Sequence, residues 1–117
     1  MKYDILEQQL LAYKGSVKEF PFGDEAAVFK VVGKMFALVA WCDNPLQITL
    51  KCDPDEAVLL RSMFDAVKPG YHMNKEHWNT ITLDGSVPED TLREMINASY
   101  ALVVKGLRKI DREKLEK

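Results

Sequence analysis

The chain has 117 residues, 47% hydrophobic and 29% charged, with a net charge of −2 at neutral pH. That length suits one domain with its own core, and the balance excludes an intrinsically disordered protein. No apolar run approaches the ~18–20 residues of a membrane-spanning helix, and the acids and amides within MKYDILEQQLLAYKG exclude a signal peptide. The cytoplasm is therefore the expected location.

Residues 4–14 predict a helix, with Ile5, Leu6, Leu10 and Tyr13 at helical spacing and Gly15 as its stop. Strands follow at Val17–Phe22, Val28–Val32 and Met35–Trp41, the last two joined by Gly33-Lys34 as a two-residue turn. After the Cys42-Asp43-Asn44-Pro45 turn, Leu46, Ile48 and Leu50 alternate with Gln47, Thr49 and Lys51, as in a strand with one buried face. Residues 17–51 thus read as an antiparallel meander.

Asp53-Pro54-Asp55-Glu56 opens a second helix: Asp53 is placed to cap it, Pro54 fits its first turn, and Leu59, Leu60, Met63 and Phe64 form its apolar face. Lys68-Pro69-Gly70 breaks the pattern, and Trp78–Leu83 reads as a strand ended by Asp84-Gly85. A long helix from about Pro88 to Leu107 carries Leu92, Met95, Ile96, Ser99, Val103 and Leu107 on one stripe. Residues 108–117 form a charged extension prone to fray. The order α-β-β-β-(β)-α-β-β-α predicts a single α+β domain, a two-layer sandwich of helices on an antiparallel sheet.

Charge is unevenly spread. Residues 53–65 and 84–94 each hold four acids and one Arg, whereas 105–117 hold six basic residues and three acids. Two cysteines, Cys42 and Cys52, without a C-x-x-C pair, predict free structural thiols. The sequence contains no phosphate-cradling glycine motif.

The densest chemistry is Tyr71-His72-Met73-Asn74-Lys75-Glu76-His77-Trp78. His72 and His77 are five apart, so on one strand they would face opposite ways, and no third ligand is evident for a metal. No thiol is placed to form a nucleophilic pair with either. The residue types suit phosphate and base-edge contacts instead: lysine for phosphate, amide and imidazole for either. The bland reading is that Trp78 and the histidines fasten a hairpin while Asn74 and Lys75 face outward.

His72-Met73-Asn74-Lys75-Glu76-His77-Trp78, with Thr80 and Leu83-Asp84-Gly85, resembles the signature H-[LM]-N-K-x-H-W-x-T-x-x-L-D-G of the bacterial MmcQ/YjbR family. The likeness extends to Leu59-Leu60-Arg61 and Asn97-Ala98-Ser99-Tyr100. It implies a fold similar to that of CyaY, the frataxin-like proteins, and DNA binding through a double wing of two hairpins. Carried onto this chain, the candidate DNA-binding residues are His72, Asn74, Lys75 and His77 at one wing. Lys34 at the Gly33-Lys34 turn is assigned to the other on its position alone. The frataxin likeness raises iron as a rival, but the first helix carries only Asp4 and Glu7 against Lys2 and Lys14. The expectation is a non-enzymatic, monomeric DNA-binding module without cofactor or metal; the alternative is a protein- or small-ligand-binding module with the motif as structural lock or groove wall.

Overall fold

The computed structural model describes residues 2–70 and 73–116. Within them the chain runs α1 (Tyr3–Leu11), β1 (Ser16–Glu19), β2 (Ala27–Val31), β3 (Lys34–Ala40), β4 (Gln47–Lys51), α2 (Pro54–Met63), β5 (Val67–Pro69), β6 (Trp78–Thr82), α3 (Glu89–Lys105) and α4 (Lys109–Glu116). The strands form one antiparallel sheet in the order β1-β2-β3-β4-β6-β5. The α+β sandwich is therefore as expected, with a meander from β1 to β4. No helix among the described residues is long and apolar enough to cross a membrane.

One face of the sheet is covered. α3 lies across β3 and β4, α2 beside β5 and α1 beside β1. The core between them holds Leu6 and Leu10 from α1, Phe29, Phe36, Ile48 and Ile81 from the sheet, and Ile96 from α3. All six residues of the stripe foreseen on the long helix, Leu92 to Leu107, are buried. Ser99 makes that helix adhere to polar backbone as well: its hydroxyl donates to the Phe36 carbonyl at 2.6 Å and accepts from the Lys51 N–H at 2.9 Å. Tyr100 Oη donates to the Lys14 carbonyl at 2.6 Å, tying α3 to the α1–β1 junction.

The structure departs from the sequence reading in five places, the first being α1, which ends at Leu11 with Ala12 as its cap rather than running to residue 14 with Gly15 as its stop. β1 stops at Glu19 rather than Phe22, because Pro21 has no N–H to continue the ladder. The β2–β3 turn is Val32-Gly33, not Gly33-Lys34: Val31 pairs with Lys34, and both turn residues have positive φ, 47° and 77°. A two-residue primed turn needs both signs so, and Gly at its second position leaves the strain on Val32.

On α2 the buried residues are Ala57 and Leu60, while Leu59 and Met63 remain 50% and 59% exposed. The helix sits at the sheet's edge strand, so only a narrow stripe finds a partner. Finally, most of the charged C-terminal extension is helix α4. Leu115 anchors it against the core; a Cβ placed on Gly15 would stand 2.6 Å from Leu115 Cδ1.

A bulge in β3 decides which residues face where. The register shifts between Phe29–Ala37 and Lys30–Met35, leaving one extra residue on β3. Phe36 and Ala37 are both fully buried, although adjacent strand residues normally point to opposite faces.

Candidate functional site

The signature segment connects β5 to β6. Gly70 N–H donates to the Trp78 carbonyl at 2.8 Å, closing the base of the connection. The strands approach so closely that a Cβ on Gly70 would lie 2.9 Å from Trp78 Cβ and 3.1 Å from its carbonyl oxygen. At the far end, Asn74 Oδ1 accepts the Glu76 N–H at 2.9 Å and the Asn74 carbonyl accepts the His77 N–H at 3.2 Å. This is an Asx turn, in which the side chain imitates backbone and tightens the bend.

The turn is then fastened to the body. Arg61 of α2 donates through its guanidinium to the Lys75 carbonyl and through Nε to Asn79 Oδ1 at 2.7 Å. Asn79, 2% exposed, donates in turn to the Ala57 carbonyl at 3.3 Å. The His77 carbonyl accepts the Cys52 N–H at 2.7 Å, joining the turn to the β4–α2 junction. A half-buried arginine held by a buried amide ties the segment to two elements at once. Asp53, as foreseen, caps α2, accepting from the amides of Asp55 and Glu56 at 3.1 and 3.5 Å.

Of the candidate residues, Asn74 and Lys75 are exposed and His77 is half-buried. His72 lies outside the described residues. Lys34 is exposed, but as the first residue of β3 rather than in the turn. Antiparallel order places Lys34 and the 74–77 turn at the same end of the sheet: β2 ends there, β3 starts there, β4 ends there, and β6 starts there opposite Lys51. The two hairpin tips stand three strand spacings apart, about 14 Å at ~4.8 Å per strand.

The two ends of the sheet differ in charge. Loops at the opposite end, residues 20–26, 41–46, 64–66 and 83–88, hold Asp24, Glu25, Asp43, Asp65 and Asp84 with no Lys or Arg. The tip end carries Lys14, Lys34, Lys51 and Lys75 among the acids Asp53, Asp55, Glu56 and Glu76. α4, whose Leu115 packs beside Gly15, carries Lys109, Arg112 and Lys114 against Asp111, Glu113 and Glu116 and so adds no net charge. Of the sheet's two ends, this one carries lysines and the other none.

Beside the motif lies a shallow depression of about 370 Å³ lined by Lys51, Cys52, Asp53, Asn74, His77 and Trp78. It brings Cys52 next to a histidine, a juxtaposition invisible in the sequence. The Cys52 thiol is pushed up to about 11 by burial, with the charges of Glu56 and Asp53 adding to it. A thiol so raised is protonated at neutral pH and is a poor nucleophile. Among the described residues no three His, Cys, Asp or Glu side chains are grouped to hold a metal ion.

The Arg61–Asn79 fastening escaped the sequence reading. Asn79 in an otherwise β-branched strand was the available signal, since a buried amide needs partners. Nothing in the sequence named Arg61 as that partner.

Comparison with known proteins agrees with this architecture. The sequence model of the YjbR family matches residues 11–102. The protein YbdF of Escherichia coli O157:H7 is 42% identical over 96 residues, 82% of this chain and 79% of that one. YjbR of E. coli K12 is 35% identical over 99 residues, covering 85% and 84%. Among solved structures, protein DR2400 of Deinococcus radiodurans, a DUF419 domain, superposes with TM-score 0.92 at 40% identity, covering 98% of this chain and 88% of that one. A Pseudomonas syringae protein superposes with TM-score 0.75 at 26% identity, covering 87% and 98%. With a family model matching residues 11–102 and relatives 42% and 35% identical over most of their length, this chain belongs to the YjbR family.

Proposed function

We propose that the protein is a non-enzymatic, cytoplasmic DNA-binding module that meets duplex DNA with the tip end of its sheet. The observation that carries this reading is the placement of both hairpin tips at one end, about 14 Å apart by strand spacing, while the loops of the other end are uniformly acidic. That separation is comparable with the ~12 Å width of the B-DNA major groove. Lys34 and Lys75 would contact phosphates across it. The 74–77 turn, fastened by Arg61, would present its lysine without a large loss of backbone entropy on binding.

Such contacts position a protein on DNA without reading sequence. Asn74 is a weaker candidate for base contact, because its carbonyl oxygen is already used in the turn. The test is an amide NMR titration of labelled protein with a short mixed-sequence duplex at ~50 and ~200 mM salt, where phosphate-driven binding weakens strongly. Shifts at residues 32–34 and 74–77 that fade at the higher salt are expected. No shifts at the lower salt, or shifts confined to α4, would overturn the reading.

A further inference from the structure

The face of the sheet opposite the helices is not left bare. Val28, Leu38, Thr49 and Thr80 form one row across four strands on that face. Val28 is 1% exposed and Thr49 6%, although no helix packs there. Segment 20–26 rises along one side of it, bringing Phe22 and Ala26, and Met73 of the β5–β6 connection rises along the other. Between them is a groove of about 510 Å³, against about 250 Å³ for the depression between α2 and α3. Small-molecule sites typically occupy ~300–1,000 Å³ and combine apolar walls with a few polar groups.

The β3 bulge contributes directly to this groove. By placing Phe36 and Ala37 both in the core, it lets Met35 and Leu38 both line the floor of the opposite face. The floor thus has an apolar half on β3 and a polar half on β4 and β6. In the polar half the Thr49 and Thr80 hydroxyls bond each other at 2.8 Å. Whichever donates, the other keeps its hydrogen for a ligand acceptor, and the pair retains free lone pairs.

Charge distinguishes what would enter. Among the described residues lining the groove, Asp43 is the only ionisable one; Lys68, paired across from Thr80, and Lys30, bonded to Glu19, border the same face. Asp24 and Glu25, in the segment that supplies Phe22, add negative potential at the same end. Phe22 is 72% exposed, an aromatic face held in solvent at the groove's side. Aromatic rings and carboxylates attract the same partner, a cation on an apolar body.

We infer that this groove binds a small amphipathic amine, its apolar body on Met35, Leu38 and Met73 and its ammonium group toward Asp43. The groove reaches the tip end through Met35 and Met73, neighbours of Lys34 and Asn74, while its carboxylate Asp43 lies at the opposite end of the sheet, so Asp43→Asn tells the two bindings apart. Walls on both sides and a volume of small-molecule size favour a compact ligand over a protein surface or an extended peptide.

The probe is tryptamine, with indole-3-propionate as its anionic counterpart, titrated into the methyl-labelled full chain. Tryptamine is expected to shift Leu38, Thr49, Thr80, Met35 and Met73. Indole-3-propionate should bind about tenfold more weakly, since a partly exposed ion pair contributes up to ~1 kcal/mol and the reversed charge is repelled. Asp43→Asn, an exposed loop change that leaves the core intact, should remove most of this difference. Thr80→Val, which deletes a hydroxyl at constant shape, should weaken both probes. Equal affinity for the two probes, or a tryptamine affinity unchanged in Asp43→Asn, would overturn the inference. So would shifts outside this face, or a Lys-Leu-Phe tripeptide amide that binds where tryptamine does not. DNA-induced shifts at residues 32–34 should be unchanged in Asp43→Asn, which separates failure of the amine site from failure of DNA binding.

Discussion

The two hairpin tips at the same end of the sheet are built in opposite ways. The β2–β3 tip is two residues long and owes its shape to backbone alone, with Val32 and Gly33 both at positive φ. The β5–β6 connection spans residues 70–77 and is held by groups from outside it: the Arg61 and Asn79 side chains and the Cys52 backbone N–H. An eight-residue connection needs external ties to hold one shape, and these come from residues outside its own signature run. A two-residue turn needs only permissive dihedrals. A bare tip can therefore be as exposed as a fastened one.

Removing the central tie should test this contrast most severely. Asn79→Ala leaves the Arg61 guanidinium and the Ala57 carbonyl without their partner, so a loss of about 2–3 kcal/mol is expected in urea unfolding. The same change should broaden or shift the amides of 74–77 while leaving 32–34 unmoved. Equal disturbance of both tips would break the comparison.

Gly70→Ala attacks the base of the fastened tip. Its new methyl group meets Trp78 at 2.9 Å and must force the strands apart, for an expected cost of about 1–3 kcal/mol. At the bare tip the sign reverses. Val32→Asn should stabilise the protein by about 0.5–1 kcal/mol, because Asn tolerates the left-handed conformation that costs a β-branched residue about 1–2 kcal/mol. Loss of the partial packing of Val32 against the core limits the gain. A raised thermal midpoint checks it.

The lysines should separate stability from binding. Lys34→Ala and Lys75→Ala are each expected to change stability by less than ~0.5 kcal/mol, as exposed substitutions generally do. If each meets one phosphate, each should lower the salt dependence of duplex binding by about 0.9 in log–log slope. An effect at only one of them would reduce two wings to one.

A smaller effect concerns Cys52. Its folded pKa of about 11 lies above the ordinary 9.0, so between these values the unfolded chain releases a proton that the folded chain retains. Stability contributed by the neutral thiol is thus present below pH 9 and lost as pH rises toward 11. Tyr3, Tyr13 and Tyr100, all raised by burial, slope the same way at higher pH. Cys52→Ala should flatten the early part of that decline. At pH 8, iodoacetamide should label exposed Cys42 well before Cys52.

Much of this architecture was legible in residue order. The α3 stripe and the Asp53 cap each depend on neighbours within a few residues, and each appears where the pattern put it; the Leu46–Leu50 strand forms too, but Thr49 on its second face is also buried, at 6% exposed. The errors fell where a distant partner chose between local options. Leu59 and Met63 have the spacing of a core face, but α2 lies at a sheet edge and leaves them in solvent. The extension after Leu107 reads as solvated charge until Leu115 finds Gly15 across the fold.

The amino-acid sequence by itself determined the α+β class, the Asp53 cap, and membership in a family recognisable by one motif. These follow from dihedral preference, periodicity and short-range hydrogen bonding. Only the tertiary structure decided that the motif is clamped by Arg61 and Asn79, that both tips share one end, and that a bulge in β3 opens a groove on the uncovered face. Those features depend on strand order and register, which bring together residues such as Arg61 with Lys75, Leu38 with Thr49, and Phe22 with Met35. No local rule of sequence reaches that far.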